Sequence, residues 1–221
     1  KGGWEKLRNE RYQRMLKMGI IDKERWPLPT RESWVQDWDT IDHKPWRIRN
    51  QAIYAAMVDH MDQAVGNIIN ALKRTKQFEN TLIIYFHDNG ACPEHLSGNG
   101  WNTANNILAK AKREGKEVAV GDKYDVMMGG PLTYGSVGHN WANAQNTPMR
   151  RYKSNVRNGG ACTPAIMHWP KGLKTKPGSI TDQRGHVIDM LATCIDLAGS
   201  VYPKKFGAVS YTHLRAHETK T

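Results

Sequence analysis

Three short segments carry residue types whose spacing could do chemistry. Asp88-Asn89-Gly90 closes an apolar run. A carboxylate beside a carboxamide offers oxygen ligands, which hard cations such as Ca2+ and Mg2+ take. Asn adds no charge, so a held ion keeps its pull on an anion. The same three residues also make an ordinary Asp-Asn-Gly turn. The second segment is Pro148–Lys153, followed by Asn158, Gly159 and Gly160. Lys153 is a compact cation suited to an anionic oxygen, or a plain exposed lysine ahead of a glycine turn. Adjacent glycines let backbone pass close to a neighbour. The third is His139, in Gly138-His139-Asn140-Trp141, within a long loop that precedes Lys153. Loops carry function out of proportion to their length, so His139 is expected to line a substrate mouth. His60, His168 and His186 read as structural or solvated.

These residues need a frame. Ile53, Met57, Met61, Ala64, Ile68 and Leu72 recur every three or four residues, which predicts a helix over 51–75 with its methionines in the core. Thr81–Phe86 is short, apolar on both faces and rich in β-branched and aromatic types. That pattern predicts a buried strand of a parallel or mixed sheet. Helix, turn and buried strand is α/β order, and Asp88 falls at the strand end where such folds place ligands. Ala165–His168, between Pro164 and Pro170, predicts another short strand. His186–Ala198 predicts a helix stopped by Gly199. Residues 91–150 are Gly- and Asn-rich and are expected to be irregular, with a short helix over 105–114. Residues 1–50 are expected to be peripheral. A helix over 5–18 is followed by a stretch broken at Pro27, Pro29 and Pro45, whose Trp26, Trp34, Trp38 and Trp46 lie over a core.

At 221 residues, 39% hydrophobic and 24% charged, the chain can close one sizeable core. No apolar run is membrane-sized. The formal net charge is +11, but acids interleave the Lys and Arg residues, so a solvated surface is expected and nucleic acid is not. Cys92, Cys162 and Cys194 form no CxxC pair, and their odd number argues against a disulfide framework. Lys1 is not an initiator Met and no apolar leader follows it, so an upstream segment is expected. Residues 209–221 resemble the in-frame translation of a transposase sequencing adaptor. They are expected to be a non-native tail on a domain of residues 1–208, removable without loss of stability. The competing reading makes His213 and His217 a helical metal pair.

Taken in order, five blocks resemble the sulfatase family, arylsulfatase type: Tyr54–Asp62, Asn80–Gly90, Trp141–Lys153, Gly159–Pro170 and Gly185–Asp189 through Asp196–Gly199. The resemblance runs from about Gly2 to Pro203. It implies an incomplete α/β domain of alkaline-phosphatase-like fold, a mixed sheet flanked by helices. It implies sulfate-ester hydrolysis by a formylglycine nucleophile, with Ca2+ (or Mg2+) holding the sulfate. Asp88 and Asn89 match the family's second pair of metal ligands, and Lys153 matches its sulfate-contacting lysine. The implied partner is a sulfated small molecule or glycan. Export to the periplasm or the medium follows only from relatives, and neither compartment nor oligomeric state is legible here. The family's Cys/Ser-x-Pro/Ala-x-Arg nucleophile motif is absent from this sequence, and Cys92, Cys162 and Cys194 lack its context. The first metal-binding Asp pair, the Lys-x-His element and the later catalytic His are expected upstream, with the formylglycine. The chain alone is therefore expected to be inactive. His87 and Asn158 also depart from the usual family residues, though neither is a metal ligand. Two other readings remain: a phosphodiesterase or phosphonate hydrolase of the same superfamily, and a non-catalytic module binding sulfated glycans.

Overall fold

The computed structural model describes residues 2–96, 109, 111, 114–201, 205–206 and 209–210, the last two pairs by backbone alone. It separates into two compact units, Lys1–Lys174 and Thr175–Thr221. Helices and short sheets alternate, as α/β order requires.

In the first unit, helix α1 (Gly3–Lys17) buries Trp4, Arg8 and Tyr12, spaced by four along one face. That face holds the returning chain. Trp4 Nε1 donates to the Gln36 carbonyl at 2.8 Å, Arg8 to the Pro29 carbonyl at 2.9 Å and Tyr12 to the Trp26 carbonyl at 2.8 Å. The largest core is Trp4, Val35, Trp141 and Ala144, joined by Leu7, Trp34, Trp38, Ile41 and Val137. Trp38 and Trp141 meet Trp4 edge-on at 4.8 and 5.4 Å between ring centroids. The N-terminal residues are thus central, not peripheral as expected. Large indoles that can also satisfy their N–H groups make a core where they cluster. Trp141 does so on the Arg47 carbonyl at 3.1 Å.

Helix α2 runs Lys44–Arg74. It starts earlier than the expected 51 because Pro45 sits in its first turn, where a missing N–H is harmless. Its apolar stripe is not core. Met57 is 66% exposed and Ile68 60%.

Strand β1 (Ile83–Phe86) is reached through the turn at Phe78–Asn80. Beyond it lie β2 (Ala119–Val120), β3 (Thr133–Tyr134), α3 (Gly138–Gln145), α4 (Asn158–Ala161) and β4 (Ala165–His168). β1 pairs antiparallel with β4, Ile83 opposite His168 and Phe86 opposite Ala165. The expected burial of this region is corrected: β4 is exposed along its whole length and Phe86 is exposed. A two-stranded ladder cannot cover its own faces. The parallel pair is elsewhere, Ala119 beside Thr133 and Val120 beside Tyr134. Those strands and α3 fall inside the stretch expected to be irregular. The helix expected over 105–114 lies mostly outside the described residues; of it, Ala109 and Ala111 are described as helical and Glu114 as part of a turn.

The second unit contains α5 (Val187–Leu197), close to its expected bounds. A capping box starts it. The Ile188 N–H donates to His186 Nδ1 at 3.3 Å, and the His186 N–H donates to Asp189 at 2.7 Å. Gly199, at φ +60, follows its end. Short strands β5 (Lys205–Phe206) and β6 (Val209–Ser210) pair antiparallel across the position where the tail was expected to begin. No helix among the described residues is long and apolar enough to cross a membrane.

Candidate functional site

The site is built where β1 ends. Asp88 is exposed there and Asn89 half-buried. The next residues are fastened to the second chemical segment by backbone. The Gly90 N–H donates to the Gly160 carbonyl at 3.0 Å, and the Lys153 N–H donates to the Ala91 carbonyl at 3.0 Å. A Cβ on Gly90 would overlap the Gly159 carbonyl oxygen, and one on Gly159 would overlap the Arg151 carbonyl. The glycines expected to allow a close approach therefore allow approach to each other's strand of chain.

Asn146 locks this arrangement with one side chain. Its Oδ1 accepts from the Ala91 N–H at 2.9 Å, while its Nδ2 donates to the carbonyls of Arg151 at 2.9 Å and Gly159 at 2.5 Å. Arg151 and Ser154 both adopt positive φ, +70 and +67, on either side of Lys153. Non-glycine residues in that region are strained and persist where surrounding bonds over-determine them. The lysine is thus held by a stiff, specified turn.

Lys153 Nζ lies 3.0 Å from Glu94 Oε1. That carboxylate, by hydrogen bond and charge, raises the Lys153 pKa, and Asp88 adds to the effect. Asp88 and Lys153, separated by the sequence, therefore share one electrostatic neighbourhood. Burial pushes the Glu94 carboxyl upward, but hydrogen bonds from Cys92 and Lys153 outweigh it and leave the pKa lowered. The Cys92 thiol, which donates to Glu94, is pushed up by partial burial and by that acid. A raised thiol pKa is opposite to what a reactive cysteine needs.

His139 stands in a separate hydrogen-bonded chain. Its Nδ1 is 2.9 Å from His95 Nε2, and His95 Nδ1 is 3.1 Å from Asp122 Oδ2. Burial first, then His95 and Arg47, lower the His139 pKa. The Trp34 ring meets His139 edge-on at 5.8 Å and Tyr152 at 5.0 Å, and the Arg151 guanidinium lies 4.9 Å from its centroid. Glu32 anchors that wall. Arg150 donates to it at 2.8 and 3.0 Å, and its carboxyl is held at about 2, chiefly by the Arg150 hydrogen bond.

Asp88 and Asn89 fit a hard cation by chemistry, as neighbouring oxygen donors. They supply only part of a sphere that takes six to eight oxygens for Ca2+. Among the described residues no group of three or more His, Cys, Asp or Glu side chains is placed to hold a metal ion. Sequence reasoning missed Glu94, His95, Asp122 and Asn146. Glu94 and His95 carried a usable signal, since they are polar residues in the loop immediately after the strand end. Nothing in the sequence marked Asn146 or Asp122, whose roles arise only from folding.

Comparison with known proteins agrees with the ordered blocks. A family model described as Sulfatase matches residues 13–200. An uncharacterized sulfatase of Schizosaccharomyces pombe is 30% identical over 203 residues, which is 91% of this chain and 34% of that protein. An arylsulfatase of Klebsiella aerogenes is 27% identical over 205 residues, 89% of this chain and 40% of that protein. Arylsulfatase J of Mus musculus is 42% identical over 52 residues, 24% of this chain and 8% of that protein. The chain thus spans well under half the length of the first two relatives. With a strand-end Asp-Asn pair, a stiffly held lysine beside it and a family match through most of its length, the chain belongs to the sulfatase family, as a partial α/β domain of the alkaline-phosphatase-like kind.

Proposed function

We propose that this chain supplies the sulfate-binding side of a sulfuric ester hydrolase of arylsulfatase type. The observation that carries the reading is the fixed position of Lys153. Its backbone is bonded to Ala91, three residues beyond Asp88, and its ammonium shares charge with Asp88 and Glu94. A compact cation on a rigid turn can hold the oxygens of a sulfate ester while the ester bond to sulfur breaks. Glu94 keeps that ammonium oriented and is the group a sulfate would displace. Asp88 and Asn89 would hold Ca2+ or Mg2+, whose charge draws on the same sulfate oxygens when bound. His139 would line the mouth through which the alcohol portion leaves.

The attacking formylglycine is not encoded in this sequence, since no Cys/Ser-x-Pro/Ala-x-Arg motif is present. The chain by itself should then turn over no aryl sulfate and should bind Ca2+ weakly or not at all. A chromogenic aryl sulfate assay with and without Ca2+, beside a calorimetric Ca2+ titration, tests both points. Metal-dependent hydrolysis by residues 1–221, or tight Ca2+ binding, would overturn this division of labour.

A further inference from the structure

The chain Asp122–His95–His139 has a direction that its chemistry fixes. An ionised carboxylate only accepts, so the proton between Asp122 and His95 belongs to His95 Nδ1 at 3.1 Å. A neutral His95 then has only a lone pair at Nε2, so the proton in the 2.9 Å contact belongs to His139 Nδ1. A neutral His139 is left with a lone pair at Nε2. Gly138 makes room for this: a Cβ there would lie 2.6 Å from His95 Cε1. Burial, His95 and Arg47 all favour the neutral ring. The groups facing His139 are His95 from the loop after the strand end, Arg47 from α2 and Trp34 from the N-terminal return, with Asp122 acting through His95. The pair is also tied to the lysine turn. Glu94, the neighbour of His95, is the ion partner of Lys153, and Trp34 touches both His139 and Tyr152.

We propose that Asp122 and His95 are positioning residues that hold His139 in its Nδ1–H tautomer, so that Nε2 accepts a hydrogen bond from a hydroxyl of the ligand bound at Lys153. The ligand class is therefore a sulfated alcohol carrying a further hydroxyl, such as a sulfated sugar. This rests on the Lys153 reading only for where the acceptor is used. A bare sulfate has no proton to offer Nε2 at neutral pH, so the donor must come from the organic part.

Long-range proton–nitrogen NMR of the full chain reads the tautomers directly. Both His95 and His139 should be Nδ1–H forms in the neutral state, whereas an unconstrained histidine favours Nε2–H. Asp122→Asn, which can donate as well as accept, should mix the tautomers of both rings while circular dichroism stays unchanged. Nε2–H forms in the unaltered chain would overturn the proposal. So would an Asp122→Asn variant that folds and leaves both rings unchanged. Methyl sulfate and glucose 6-sulfate then serve as probes. The sugar sulfate should bind about fivefold more tightly, the worth of one hydrogen bond, and His139→Ala should erase the difference. Equal affinities would overturn the ligand class. Failure of methyl sulfate to bind at all would instead count against the Lys153 reading, leaving the tautomers to decide the positioning role.

Discussion

Trp4 and Ile68 are both large, apolar and helical, yet the first is 1% exposed and the second 60%. The difference separates two regions of one unit. Around α1 and α3 the chain closes a core of indoles, of which Trp4 and Trp141 give their N–H groups to backbone carbonyls. Along α2 and the β1–β4 ladder, apolar side chains with the same helical or strand periodicity stay open. Periodicity reports which face of an element is apolar. It does not report what covers that face. The site straddles this contrast. Lys153 is set in the turn that packs against the closed region, while Asp88 and Asn89 hang from a strand of the open one. Asn146 ties the two.

Substitutions should grade accordingly. Trp4→Ala removes the most buried large side chain of the closed core and should cost about 3–5 kcal/mol in chemical denaturation. Asn146→Ala deletes three hydrogen bonds that join the regions, worth about 2–4 kcal/mol at roughly one each. It should also broaden the NMR signals of Ala91 and Lys153. Glu32→Gln should have a smaller, pH-dependent effect. The carboxyl of Glu32 is lowered from 4.5 to about 2, so its contribution is present above pH 4.5 and is lost as pH falls toward 2. Denaturation midpoints of the variant and the parent should therefore converge across that window. Ile68→Ala should change stability by no more than about 0.5 kcal/mol, as an exposed position does. A large loss there would mean α2 is covered, and the contrast between the regions would fail.

The sequence was most informative where local chemistry decides structure. Pro164 and Pro170 bracket β4 as expected, and His186 and Gly199 bound α5. Asp88, Lys153 and the glycine pair were legible as ordered blocks, and folding brings Asp88 and Lys153 into one field. What could not be read depends on distant partners. The centrality of Trp4 depends on Trp141, far along the chain, and the orientation of His139 depends on Asp122 and His95. Pro45 reads in the sequence as a breaker, yet it occupies the first turn of α2, which therefore starts at Lys44.

We infer that Lys153 is a sulfate-binding group held in place by Glu94 and the Ala91 backbone. Titration of inorganic sulfate into the chain, followed at the Lys153 ammonium and the Glu94 carboxyl by NMR, tests it most directly. Saturable shifts are expected at both groups, with tighter binding in Glu94→Gln, where the competing carboxylate is gone, and loss of binding in Lys153→Ala. Sulfate binding that survives Lys153→Ala unchanged, or shifts confined to other lysines, would contradict it.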